Sequence, residues 1–292
     1  MKCFYHNADL DGHCSAAIVK RREPRAYLIG INYGQPFPWE RLELGEVVYM
    51  VDFSLQPFDE MVRLARSCRL VWIDHHKSAI EEEERHAPDL PSRIDGLRRD
   101  GMAGCELAWE YFYPGQEAPR AVRLLGRYDV WDLADPDVLR FQYGMRLLNT
   151  WPDQAPTLWD NLLATDTLRE RSLVRGLIRD GAVILDYAAE ENRKYCQAAA
   201  FETELAGLKC IAVNKMLTNS LLFNPVWDPE RYHAMLAFGW RDGRWVVSLY
   251  STREDVDRGA ICKARGGGGH KGAAGFQCDT ETIQGLLSAR VG

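Results

Sequence analysis

Along the first third of the chain, short apolar runs alternate with polar or helix-patterned stretches, and three of the runs end on acidic or imidazole residues. Lys2-Cys3-Phe4-Tyr5 reads as a short buried strand, apolar or aromatic at most positions. His6-Asn7-Ala8-Asp9-Leu10-Asp11-Gly12-His13 follows; Asp9 and Asp11 are expected in a turn closed by Gly12, ahead of a small-residue helix over Cys14–Lys20. Tyr27–Tyr33 predicts a second strand and Val47–Phe53 a third, which ends in Asp52-Phe53-Ser54. Pro57 opens a helix to Ser67 with apolar residues at 58, 61, 62, 64 and 65. Leu70-Val71-Trp72-Ile73 predicts a fourth strand, ending in Asp74-His75-His76. Strands alternating with helices imply an α/β fold with a doubly wound, mostly parallel sheet. In such sheets ligands bind outside the carboxyl ends of the strands.

Further on, Glu81–Glu84 reads as a solvated helix face. Gly104–Tyr113 predicts a helix stopped by Pro114-Gly115, and Ala118–Arg127 another, leading into Tyr128-Asp129-Val130-Trp131. Trp151–Pro156 reads as a loop. Thr167–Ala200 is helical in pattern, with Gly176 and Gly181 expected to break it in two. The expected organisation is a larger domain over 1–165, a helical connector over 166–205 and a smaller mixed α/β domain over 206–292. In the last, Lys209–Val213 predicts a strand, and Tyr232–Phe238 pairs with Trp245–Ser251 through Arg241-Asp242-Gly243. The run Gly266-Gly267-Gly268-Gly269-His270-Lys271 then reads as an anion-binding loop, since glycines let backbone N–H groups approach a ligand and Lys263, Arg265, His270 and Lys271 add positive charge.

Net charge narrows the partners. At −6, with a pI near 5.7, the chain is poorly suited to gripping long double-stranded DNA through its surface, whereas a small anionic substrate in a locally positive site fits. No apolar run approaches the length of a membrane span, and Met1-Lys2-Cys3 leads straight into a strand, so no membrane partner and a cytoplasmic location are expected. The eight cysteines form no CxxC pair, which points to reduced, mostly buried thiols.

The strand ends supply the candidate chemistry. His6, Asp9, Asp11, Asp52 and His75, joined by Asp129 from a separate segment, are all oxygen or imidazole ligands. Carboxylates gathered so closely repel one another, and burying them is costly unless a cation neutralises them. The set suits two Mn²⁺ or Mg²⁺ ions better than a structural zinc. Asp52 is expected to bridge, with His6 and Asp9 on one ion, Asp11 and His75 on the other, and Asp129 completing a shell. Asp74 reads as an orienting carboxylate and His76 as a donor to a phosphate; His13 reads as an ordinary residue near a helix start or a further contact of the site.

The ordered elements His6-x-x-Asp9-x-Asp11-Gly12, Val51-Asp52-Phe53-Ser54, Asp74-His75-His76, Tyr128-Asp129-Val130-Trp131 and the glycine run with Ala273-Ala274-Gly275 resemble the DHH phosphoesterase superfamily, in its branch with a DHH-associated C-terminal domain. The resemblance spans nearly the whole chain. It implies a manganese-dependent phosphohydrolase (Mg²⁺ or Co²⁺ as substitutes) with its two metals in the larger domain and the substrate's far end in the smaller one. It further implies that Arg253, in Ser251-Thr252-Arg253, clamps a substrate phosphate or carboxylate, with Gly267, Gly268, Gly269, His270 and Lys271 in the same role. The expected substrate is a short oligonucleotide, a linear or cyclic dinucleotide, or 3′-phosphoadenosine phosphate; a pyrophosphate or polyphosphate hydrolase and a non-catalytic nucleotide-binding regulator are the alternatives. Relatives dimerise through the larger domain, so a homodimer is an expectation of the same kind. His6 and Asp9 stand three residues apart where the nano-RNase branch has four.

Overall fold

A computed structural model describes residues 1–165, 167–269 and 273–288; His270 and Lys271 lie outside these residues. The first sheet is built from β1 (Lys2–His6), β2 (Tyr27–Ile31), β3 (Val47–Val51) and β4 (Arg69–Ile73), parallel throughout in the order β2-β1-β3-β4. Helix α1 (Leu10–Arg22) connects β1 to β2 and α2 (Asp59–Ser67) connects β3 to β4. Alternate side chains point to opposite faces of a strand, and both faces here are apolar. Cys3, Tyr5, Tyr49, Val51, Val71 and Ile73 pack into one core with residues of α1, while Phe4, Val48, Met50, Leu70 and Trp72 pack into another with α2. Hence the strands read as continuous hydrophobic runs. At roughly 1.5–3 kcal/mol per fully buried large apolar side chain, these two layers hold the sheet rigid beneath its polar rim.

The chain steps from β1 to one neighbour, β2, and then returns to the other side of β1 as β3. That reversal opens a crevice at the carboxyl ends of β1 and β3, the place where such sheets bind ligands. His6 closes β1 and Asp52 follows β3.

After β4 come α3 (Lys77–His86), α4 (Gly104–Phe112), α5 (Arg120–Asp129), α6 (Pro136–Met145), α7 (Pro156–Leu162) and α8 (Leu168–Ala199). Helix α8 is unbroken through Gly176 and Gly181, contrary to the expected interruption. Gly181 serves packing instead: a Cβ there would overlap the Arg140 carbonyl of α6, and one at Gly144 would overlap the Leu177 carbonyl, so this crossing needs both glycines. The chain divides into two compact units, Met1–Leu185 and Asp186–Gly292, with the division inside α8.

The second unit holds a mixed sheet, β5 (Phe201–Leu205), β6 (Leu208–Asn214), β7 (Ala234–Arg241), β8 (Arg244–Tyr250), β9 (Gly268–Gly269) and β10 (Ala273–Cys278), in the order β5-β6-β7-β8-β10-β9. The expected hairpin is β7–β8; its turn, Asp242 and Gly243, has φ values of 51° and 79°, the left-handed pair that a two-residue hairpin favours. Helices α9 (Arg258–Lys263) and α10 (Thr280–Ser288) complete the unit, with Cys262, Ile283 and Leu286 packing on one face of the sheet. No helix among the described residues is long and apolar enough to cross a membrane.

Candidate metal centre

Asp9 and Asp11 lie in a helix start, not in the expected turn. Asp9 is the N-cap of α1, accepting from the Gly12 N–H at 3.0 Å, and Asp11 stands in the first helical turn. One Asp9 carboxylate oxygen caps the helix while the other lies 2.9 Å from His6 Nδ1. Gly12 is required because a Cβ would overlap the His6 carbonyl.

Asp11 is buried, and its two oxygens accept from Gly104 and Cys105 N–H at 2.8 and 2.7 Å, the amide donors that open α4. A helix N-terminus is a natural seat for a carboxylate. Gly104 lets α4 come this close: a Cβ would press on Asp52 Cβ and on the Asp11 carboxylate. The sequence offered no signal for this support, since it depends on a helix more than ninety residues away.

Asp52 adopts φ 53° immediately after β3, a left-handed conformation that Asp tolerates better than most residues. Its carboxylate is almost wholly buried. Asp52 Oδ1 lies 3.2 Å from His75 Nε2 and Oδ2 lies 3.7 Å from His6 Nδ1. His75 Nε2 is also 3.4 Å from Asp129 and 3.8 Å from Asp11. Two groups with metal-ligand geometry result, His6/Asp9/Asp52 and Asp11/His75/Asp129, and Asp52 also groups with Asp74, His75 and His76. The structure therefore brings all six sequence-predicted ligands together, with Asp129 as the last residue of α5 rather than beyond it.

Asp74 is fully buried, and its oxygens are occupied. Oδ1 accepts from His75 N at 2.7 Å, His76 N at 3.2 Å and His76 Nδ1 at 2.6 Å, and Oδ2 accepts from Trp72 Nε1 at 3.2 Å. These bonds fix the backbone of both histidines and the His76 ring. His13 turns away: Nε2 bonds Asn7 Oδ1 at 3.2 Å and Nδ1 bonds Thr150 Oγ1 at 2.9 Å, leaving no nitrogen for the cluster.

The electrostatics reflect missing positive charge. Burial, and then the charges of Asp11 and Asp9, push the Asp52 carboxyl well above its usual range; burial and Asp11 do the same to Asp129. Burial alone would lower the His6 imidazole, but Asp52 and Asp9 lift it to about 10. His75 is raised as well, Asp11 and Asp129 overcoming its burial. Asp52 Oδ2 is buried without a hydrogen-bond partner, while the buried His6 Nδ1 pairs with Asp9 at 2.9 Å. The orphaned Asp52 Oδ2, 3.7 Å from His6 Nδ1, fits a cation between the two. The donor set, oxygen and imidazole without thiolate, fits a hard or borderline divalent ion.

The second unit's predicted residues are arranged differently. Arg253 Nε and Nη2 donate to Asp255 at 2.9 and 2.6 Å, and Nη1 donates to the Pro229 carbonyl at 2.8 Å. Its own N–H bonds Ser251 Oγ at 3.1 Å. The glycine run is less open than expected. Gly267 N–H bonds the Cys262 carbonyl at 2.9 Å, and Gly268–Gly269 form the edge strand β9 against β10. Cβ atoms at Gly267 or Gly269 would overlap β10 backbone, so close strand approach explains these glycines.

No family model matches the chain. It is 26% identical over 253 residues to an uncharacterized protein of Acanthamoeba polyphaga mimivirus, covering 78% of this chain and 52% of that protein. The chain thus spans about half the length of the curated relative it matches. Among solved structures, it is similar to the DHH domain of a member of the s1p family of ribosomal proteins (TM-score 0.59, 14% identity, 99% of this chain and 84% of that one). It is also similar to the pGpG-specific phosphodiesterase PggH from Vibrio cholerae (0.58, 12%, 99% and 96%) and to exonuclease RecJ bound to manganese (0.51, 16%, 99% and 88%). The chain thus shares its fold with these structures, one of them a DHH domain, the domain for which the superfamily that its ordered motifs resemble is named.

Proposed function

We propose that the protein is a two-metal phosphohydrolase that cleaves a phosphoester in a short nucleotide substrate. One observation supports this above the others: two ligand triads, His6/Asp9/Asp52 and Asp11/His75/Asp129, meet at the 3.2 Å contact of Asp52 with His75. Mn²⁺ or Mg²⁺ held there would polarise a phosphoryl oxygen and bring an attacking water's pKa towards neutrality. The protein's own groups supply the rest. Asp52 reaches both triads, which sets their spacing. Gly104 and Cys105 hold Asp11 at a fixed angle. Asp74 holds His76 Nδ1 at 2.6 Å and so orients the ring, and His76 would donate a hydrogen bond to a phosphate oxygen. Arg253 would take the substrate's distal phosphate by exchanging its partner Asp255, an exposed carboxylate.

The phosphodiesterase and exonuclease activities in the names of two structural neighbours agree with this chemistry. The test is Mn²⁺-dependent release of phosphate and nucleotide by the wild type beside Asp52→Asn. The panel is a dinucleotide, a five-residue RNA, adenosine 3′,5′-bisphosphate, cyclic di-AMP and polyphosphate. Nucleoside monophosphate released by the wild type alone supports the reading. Phosphate from polyphosphate without nucleotide turnover moves it to a polyphosphatase, and silence with metal bound overturns it.

A further inference from the structure

Beside the carboxylate cluster, the segment following β2 encloses a recess of about 360 Å³, within the size range of small-molecule sites. Its aromatic wall is Tyr33, Phe37, Trp39 and Phe53, and the carboxamides of Gln35 and Gln56 also line it. Two of these rings tie the recess to the centre. Tyr33 lies 5.6 Å from the His6 ring and 6.2 Å from that of His76, centroid to centroid. Phe53 directly follows Asp52 and packs on Tyr33 at 4.5 Å. Tyr33 nevertheless remains 38% exposed, so a flat ligand can reach its ring.

The wall chemistry selects the ligand. A chain of phosphates needs unpaired cations, and the cation here, Arg63, pairs with Glu60 at 3.3 Å and lies over the Trp39 ring at 3.8 Å. A nucleobase needs a π surface and polar groups for its edge, and both are present. In a nucleotide the base sits one sugar away from the phosphate; in the protein, Tyr33 sits one ring contact away from His6 and His76.

We infer that this recess is a nucleobase subsite, in which the base attached to the phosphate at the metal centre stacks on Tyr33 and presents its edge to Gln35 and Gln56. The inference rests on reading the strand-end cluster as the hydrolytic centre, and it makes Tyr33 a specificity-determining residue.

Two measurements test it. In the first, metal-free protein is titrated calorimetrically with adenosine 5′-monophosphate and with ribose 5-phosphate. Stacking predicts at least about tenfold tighter binding of the nucleotide. Tyr33→Ala should erase the preference, as should Tyr33→Leu, which keeps apolar bulk without a π face and guards against a folding defect. Tyr33→Phe should retain it. In the second, with Mn²⁺, the ratio of kcat/KM for thymidine 5′-(p-nitrophenyl phosphate) to that for methyl p-nitrophenyl phosphate should fall about tenfold in Tyr33→Leu. Equal binding of the two ligands by the wild type, or an undiminished preference in Tyr33→Leu, overturns the subsite even where both esters are hydrolysed. A Tyr33-dependent preference in binding, with neither ester hydrolysed, instead upholds the subsite and removes the hydrolase reading.

Discussion

At the strand ends of the parallel sheet, polar groups outnumber their partners. Asp52 Oδ2 is buried with no hydrogen bond, and Asp52 and Asp129 are held towards neutrality by burial and by neighbouring carboxylates. Around Ser251–Arg253 in the second unit the reverse holds. Ser251 Oγ donates to the His233 carbonyl, Arg253 donates to Asp255 and to the Pro229 carbonyl, and the buried Arg258 donates to the Ser251 and Arg253 carbonyls. Only Arg258 Nε among these groups lacks a partner. The first region gathers buried carboxylates that repel one another, an arrangement that a bound cation would relieve. In the second, most polar groups already have protein partners, so binding there competes with existing bonds. Stability and function should therefore oppose each other in the first region and be nearly independent in the second.

Asp52→Asn should break the contrast most sharply. Loss of a ligand that reaches both triads predicts a fall in kcat on the order of 10³-fold or more. The same substitution removes one of several repelling buried carboxylates, so the metal-free protein should melt about 2–4 °C higher. A metal-free melting temperature well below that of the wild type would show that the carboxylate is stabilising without metal, against the argument above.

Metal removal comes next. Saturating Mn²⁺ should raise the wild-type melting temperature by about 5 °C or more, and a chelator should reverse the change. Arg253→Ala should show the same metal-induced shift; a shift lost in that variant would mean that the two regions are not independent.

Asp74→Asn should cost roughly 10- to 100-fold in activity, since it loosens the His75 and His76 backbone and the His76 ring without removing a ligand. Much of that loss should appear in kcat. A change confined to KM would assign His76 to ground-state binding.

The smallest effect belongs to Arg253→Lys. Its ion pair is exposed on the Asp255 side, so thermal unfolding should change little. KM should rise about tenfold with kcat nearly kept, because lysine cannot reproduce a bidentate grip. An unchanged KM on every substrate would leave Arg253 as a strut for its own loop.

The parallel sheet was legible because its strands are buried on both faces, and Val47–Val51 or Leu70–Ile73 can hardly be read otherwise. The proximity of the candidates at the strand ends was legible for the related reason that polar residues ending such runs fall in one layer, whereas Asp129 joins them from the end of α5. Sequence alone also determined the β7–β8 hairpin, since Asp-Gly between alternating strands specifies its turn locally. Only the tertiary structure decided that Gly181 is a packing contact with α6 and not a helix break, because that depends on a neighbour far along the chain. The same holds for Gly267 and Gly269, which reflect close pairing with β10, and for Arg253, whose partner Asp255 is two residues away but whose Pro229 contact is not. It holds most of all for Asp11, seated on the amides of α4, and for Tyr33, turned from a strand's tail into a wall beside the centre. Period and residue type are properties of a segment, so a sequence displays them. Which group satisfies another, and which is left without a partner, is settled only when distant segments pack.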